Sequence, residues 1–182
     1  MRVELSKFNN SWFDPGRSIL IRTVWHFVNA VCFQNGLLPF SRFKVMVLRL
    51  FGAKIGKGVV IKPGINVKYP WNLEIGDHSW IGEGAWLDSL VPIIIGNDVC
   101  ISQGAYFCTG NHDWNDTAFG LKVKPILVEE GAWVGAKAIV LSGVTIASHS
   151  VVTAGSVIAK NTEPYMIYSG SPAVKVKERK II

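Results

Sequence analysis

The sequence predicts a mainly β solenoid of short strands wound into three-sided coils, and three observations predict it. From residue 128 to 158 an aliphatic side chain returns every six positions, as Val128, Val134, Val140, Ile146, Val152 and Ile158. Four positions after each stands a small or β-branched residue: Ala132, Ala138, Val144, Ser150, Ser156 and Thr162. Three positions after each stands Gly131, Lys137, Gly143, His149, Gly155 or Asn161, mostly types that accept a positive φ. A period of six is neither helical nor that of a plain strand; it suits short extended segments joined by tight corners. One aliphatic per segment points inward, the small residue fits a crowded bend, and the third position turns the corner. Three segments close a coil of about eighteen residues, and stacked coils pair their strands in parallel.

With 182 residues, 49% of them hydrophobic, the chain can bury one substantial core with appendages. Nineteen Lys and Arg against thirteen Asp and Glu give a net charge of +6, which favours an anionic partner without specifying one. Basic residues cluster only in KVKERK near the end, so nucleic acid is not expected. Cys32, Cys100 and Cys108 are odd in number and lack CxxC spacing, which predicts free thiols in a reducing compartment. The start, MRVELSKFNN, lacks the basic and apolar layout of a secretory signal, so the expected location is cytoplasmic. Arg22, His26, Gln34 and Arg42 interrupt the most apolar region before it reaches membrane-spanning length.

In chain order, residues 1–52 read as an N-terminal helical cap. Ile19, Ile21, Trp25, Val28, Val31 and Cys32, then Phe43, Val47 and Leu50, fall near helical spacing, giving helices over 16–34 and 41–51 separated at Pro39. Their expected role is to close the open end of the coil stack. The competing reading is a membrane-surface helix, since Trp25, Phe27 and Phe33 are large and the chain is basic. From Ile55 the hexads run to residue 163 in about five coils, with two lengthened segments, VKYPWNLE and LDSLVPII, that read as bulges or small outward loops. The repeat stops over 110–125, GNHDWNDTAFGLKVKP, a polar excursion of the kind in which repeat proteins place chemistry. Residues 164–182 form a non-repetitive C-terminal tail.

The sixfold pattern resembles that of the hexapeptide-repeat acyltransferases, whose coils form a left-handed parallel β-helix. The left hand comes from the resemblance alone, because periodicity does not set it. FGAKIGKGVVIKPGINVKYPWNLEIGD, ISQGAYFCTGNHD and FDPGRSILIRTVWH narrow it over nearly the whole chain to the colanic acid biosynthesis acetyltransferases, a branch found with exopolysaccharide genes.

That resemblance implies an O-acetyltransferase moving acetyl from acetyl-CoA to a saccharide hydroxyl, in a homotrimer whose active sites lie between subunits. His112, in TGNHDWND, matches the general base of the sugar-modifying members, and neutral imidazole suits that task. Trp133 matches the tryptophan that closes off the acetyl group. Ala136 matches the residue whose backbone N–H faces the thioester oxygen, a donation independent of side chain. Ala154 falls where a small residue packs on the pantetheine arm, and Lys160 and Lys177 match two contacts to the 3′-phosphate, with simple solvated lysines as the competing reading. Val174 stands where the family's closing motif commonly has lysine. Asp88 is a candidate for a sugar hydroxyl, and Asp113 for contact with the acceptor or orientation of His112. His26, His78 and His149 read as structural. Some left-handed β-helix proteins are zinc-dependent carbonic anhydrases with a second histidine a few residues further along this loop; Asp113, Trp114, Asn115, Asp116 and Thr117 follow His112 here, so no metal is expected. A catalytically silent β-helix scaffold and a membrane-surface adaptor are the alternatives from other classes.

Overall fold

The computed structural model describes residues 2–181 and is a parallel β-helix. Its first coil holds β1 (Lys54–Ile55), β2 (Val60–Ile61) and β3 (Asn66–Val67). The second holds β4 (Leu73–Ile75), β5 (Trp80–Ile81) and β6 (Trp86–Asp88), and the third β7 (Ile93–Ile95), β8 (Cys100–Ile101) and β9 (Tyr106–Cys108). A hairpin of β10 (Gly110–His112) and β11 (Leu121–Val123) then leaves the stack. The fourth coil holds β12 (Ile126–Val128), β13 (Trp133–Val134) and β14 (Ile139–Val140), and the fifth β15 (Thr145–Ile146), β16 (Val151–Val152) and β17 (Val157–Ile158). Like strands stack into three parallel sheets: sheet A from β1 to β15, sheet B from β2 to β16, and sheet C from β3 to β17.

The predicted inward columns are inward. Val128, Val134, Val140, Ile146, Val152 and Ile158 are all buried, and so are Ala132, Ala138, Val144, Ser150, Ser156 and Thr162. The buried hydroxyls keep hydrogen-bond partners, as burial requires: Ser150 Oγ donates to Ala147 O at 2.7 Å, and Thr162 Oγ1 accepts from Ala147 N at 2.7 Å. Gly131, Lys137, Gly143, His149 and Gly155 turn their corners at positive φ. Asn161 does not follow them; its side chain accepts from Thr145 N at 2.9 Å where the repeat ends. The three cysteines are free.

Helices α1 (Ile19–Asn29), extended by a π turn over Ala30–Gln34, and α2 (Ser41–Leu50) cover the first coil and satisfy its strand edges. An open parallel stack leaves unpaired backbone groups at its end, and leaving them buried without partners costs free energy. Each sheet receives its own partners. Trp25 Nε1 donates to Val67 O at 2.9 Å and Asn29 Oδ1 accepts from Val67 N at 3.3 Å, at the edge of sheet C. Ser41 Oγ accepts from Ile61 N at 2.8 Å on sheet B. The Arg49 guanidinium donates to Ile55 O on sheet A. Trp25, Phe33, Val47 and Leu48 add the apolar plug. Capping therefore accounts for the inner faces of both helices.

The far end is closed by the tail, which is less irregular than its sequence. β18 (Met166–Gly170) pairs in parallel with β16 and so begins a sixth layer of sheet B, and β19 (Ala173–Glu178) folds back on it antiparallel. Tyr168 is buried over the last coil, its hydroxyl accepting from Glu163 N at 3.0 Å.

Candidate functional site

The hairpin over 110–123 departs from the end of β9, and its base is tied to the coil beneath. Thr109 Oγ1 donates to Asp88 O at 2.6 Å, and Lys124 N donates to Thr109 O at 3.1 Å. Its tip is a set of nested turns. Asp116 Oδ1 accepts from Ala118 N at 3.0 Å, Phe119 N donates to Asp116 O at 3.0 Å, and Asp113 N donates to Gly120 O at 2.8 Å. These turns hold Phe119 at φ +53, a conformation that bulky residues adopt only when the surroundings impose it.

That conformation turns the Phe119 carbonyl onto His112, whose Nδ1 lies 2.9 Å away. A carbonyl oxygen only accepts, so Nδ1 carries the proton and the neutral ring has its acceptor lone pair on Nε2. The Phe119 ring lies parallel to the half-buried imidazole at 4.4 Å, and Phe8 tilts against it at 5.7 Å. Phe8 belongs to an N-terminal arm fixed at two points. Glu4 N donates to Thr117 O at 2.8 Å, and Pro15 O accepts from Trp71 Nε1 at 2.7 Å. Nothing in the sequence pattern singles out Phe8 or Phe119 as neighbours of His112. The only local signal was the Phe119-Gly120 pair, a turn mark without a target.

Asp113 does not orient His112. Its carboxylate pairs with Lys122 at 2.6 Å and accepts from Asn115 N at 3.1 Å, and the Lys122 hydrogen bond holds it below the usual carboxylate range. Neighbouring positions along an extended strand point to opposite faces, which is why the adjacent acid fastens the hairpin instead.

Asp88 ends β6 in register with Cys108. Burial raises its carboxyl above the ordinary value, while Lys68 and a hydrogen bond from Tyr106 act in the opposite direction. Trp86 stacks on Tyr106 at 4.7 Å. The outer face of sheet C thus carries an aromatic and acidic strip leading to the strand from which His112 departs.

Trp133, Ala136 and Ala154 gather at another place, the corner between sheets B and C. Trp133 is 46% exposed on β13, and its Nε1 donates to Ser102 Oγ, the same corner one coil earlier, at 2.9 Å. Ala136 and Ala154 sit on successive coils, where Gly155 N donates to Ala136 O at 2.8 Å. Gly135 N and Lys137 N donate to Val152 O and Gln103 O, while the Ala136 amide between them has no acceptor among the described residues. Gly135 itself is obligatory, since a Cβ there would lie 2.5 Å from Ala154 N.

His112 leaves sheet C at its corner with sheet A, so within one chain the two groups stand at opposite ends of the sheet C strands. Lys160 is exposed just after β17, at the corner toward sheet A, and Lys177 lies on β19 at the end of sheet B. They are on different faces. The neighbouring Lys175 pairs with Glu163 at 2.8 Å. His78 and His149 occupy corners at positive φ as expected, His149 stacked on Tyr165 at 4.8 Å.

Comparison with known proteins adds four findings. A model of the hexapeptide repeat of succinyl-transferase matches residues 125–160. A protein of Escherichia coli K12 named "Putative colanic acid biosynthesis acetyltransferase WcaF" is 39% identical over 167 residues, covering 92% of this chain and 91% of that protein. Among solved structures, a hexapeptide-repeat acetyltransferase of Vibrio cholerae in complex with acetyl coenzyme A superposes with a TM-score of 0.82 at 23% identity, covering 93% of each chain. A maltose O-acetyltransferase of Clostridium difficile superposes with a TM-score of 0.80 at 22% identity, covering 90% of each. These two likenesses concern the fold.

Proposed function

Because the chain belongs to the hexapeptide-repeat acetyltransferases, in the group of the colanic acid protein, we propose that it moves acetyl from acetyl-CoA to a saccharide hydroxyl in exopolysaccharide biosynthesis. One observation carries this reading: the His112 proton is held on Nδ1 by Phe119 O at 2.9 Å, which presents Nε2 as a base in a water-facing hairpin. The acceptor hydroxyl gives its proton to Nε2 as its oxygen attacks the thioester carbonyl. The tetrahedral oxyanion is held by the Ala136 N–H, a backbone donor fixed by the coil. Collapse breaks the carbon–sulfur bond, and the imidazolium returns the proton to the departing thiolate. Nothing in this sequence requires a metal or a covalent enzyme intermediate. Trp133 flanks the acetyl group, Ala154 leaves room for the pantetheine arm, and Lys160 and Lys177, on different faces of one chain, reach the 3′-phosphate from neighbouring subunits. The saccharide lies along sheet C, where Asp88 and the Trp86–Tyr106 stack offer a hydroxyl acceptor and a flat apolar face. The colanic acid name of the relative supports the exopolysaccharide assignment, and a free-thiol chain using acetyl-CoA suits the cytoplasm.

The donor corner and His112 stand at opposite ends of sheet C in one chain, which supports a site shared between the donor corner of one subunit and the hairpin of the next. The assembly we propose is a homotrimer with three such sites. Sedimentation equilibrium should give three times the chain mass, and a stable monomer at micromolar concentration would remove the shared site.

The base is tested by His112→Ala, which should lower kcat about a hundredfold or more, with acetyl-CoA binding and assembly retained. Full activity in that variant on its own acceptor would refute the mechanism. Failure of the unaltered protein to cleave acetyl-CoA with any saccharide would instead favour the scaffold reading.

A further inference from the structure

We propose that the outer surface of the helical cap seats on an anionic lipid bilayer. The inner faces of α1 and α2 are accounted for by the first coil, yet both helices are apolar on the outside as well. Leu20, Val24, Phe27 and Val31 form a second stripe along α1 and the π turn, each between 45% and 70% exposed. On α2 the outward apolar residues are Phe43, Met46 and Leu50, beside the exposed Arg42 and Arg49, and Leu37 and Phe40 between the helices are also exposed. A helix that only caps a soluble stack turns a polar face to water, and a large apolar surface marks a site of interaction.

Charge identifies the partner. Between residues 15 and 73 there are nine Lys or Arg and no Asp or Glu, whereas the remainder of the chain has ten basic and thirteen acidic residues. The cap and first coil therefore carry more than the whole positive excess of the protein. Some of these cations have internal partners: Lys44 Nζ donates to Lys62 O, Arg49 is held by Ile55 O and Gly56 O, and Lys54 pairs with Glu74 of β4. Arg42 and Lys57 do not share that fate. They line a groove of about 690 Å³ between α2 and β2 whose walls include Val45, Met46, Val59 and Val60. Cations beside apolar walls match a phospholipid, whose phosphate lies next to its acyl chains.

The attachment is peripheral, since among the described residues no helix is long and apolar enough to cross a membrane. A second copy of the chain is a poorer occupant. Paired symmetrically through this surface, two acid-free, basic faces would meet, and contact of the surface with a different face of a neighbour in the proposed trimer is an outcome of the test below.

The test uses full-length protein in flotation with phosphatidylcholine vesicles, with and without phosphatidylglycerol. The expected result is several-fold more protein floating with the anionic vesicles, decreasing as salt is raised. Phe27→Ser with Leu50→Ser should lower flotation at least several-fold while the far-UV spectrum, melting temperature and sedimentation coefficient stay as in the parent. Arg42→Glu with Lys57→Glu should remove the preference for anionic lipid. The proposal is overturned if the unaltered protein ignores both kinds of vesicle, floats equally with both, or keeps its flotation in both variants. It is equally overturned if Phe27→Ser with Leu50→Ser splits an assembly and leaves flotation unchanged, which would assign the stripe to contact between copies.

Discussion

His112 Nδ1 donates to the carbonyl of Phe119 at 2.9 Å while the two rings lie parallel at 4.4 Å. One residue thus sets both the tautomer and the tilt of the proposed base, and it does so from a positive φ. Two variants separate the backbone contribution from that of the ring. Phe119→Gly removes the stack but keeps a residue at ease in this conformation, whereas Phe119→Val places a β-branched residue where it is strained. The expected order of kcat is parent, then glycine, then valine, with the valine variant lower than glycine by several-fold and KM for acetyl-CoA little changed. A valine variant as active as the parent would show that the carbonyl is not needed.

Asp88 supplies a pH-dependent test of stability. Its folded value is raised, chiefly by burial, so the folded chain binds more protons there than the unfolded chain, whose carboxyl titrates near 3.8. By linkage this residue favours folding most in acid, and that advantage is lost as pH rises from the unfolded value through the folded one. Asp88→Asn does not titrate. Its urea midpoint should therefore improve relative to the parent on going from acid to neutral pH, and a difference that stays constant with pH would contradict the assignment.

Replacing Lys160 and Lys177 together with alanine should raise KM for acetyl-CoA several-fold and leave use of a donor lacking the 3′-phosphate nearly unaltered. Equal losses with both donors would place the lysines elsewhere. The two lie on different faces of one chain and reach one phosphate only from neighbouring subunits, so each single variant should show part of the effect.

Trp25 fills the end of the stack and donates to Val67 O at 2.9 Å. Trp25→Ala should cost about 3–5 kcal/mol, as for a large buried aromatic, with an added loss from the unpaired carbonyl. Urea unfolding at neutral pH measures it, and a change under about 1 kcal/mol would mean that the cap is not part of the folding unit.

What the sequence by itself determined is what repeats. Val128 to Ile158, Ala132 to Thr162 and the corner residues Gly131 to Gly155 each meet the same surroundings once per segment, so a physical requirement imposed at every turn becomes a period that can be read directly. The place where the period fails, around His112, was legible for the same reason. Family resemblance, and not spacing, supplied the left hand and the roles of Trp133 and Ala136. The contacts that occur once were left to the tertiary structure. Asn29, Ser41 and Arg49 answer three particular strand edges, Phe8 reaches a ring more than a hundred residues away, and Asp113 turns from its neighbour His112 to Lys122. Such pairings leave no periodic trace, because each depends on where a rigid coil brings two distant segments together. Phe119 is the sharpest case: its role lies in a backbone carbonyl whose direction is fixed by the turns around it and not by its own side chain.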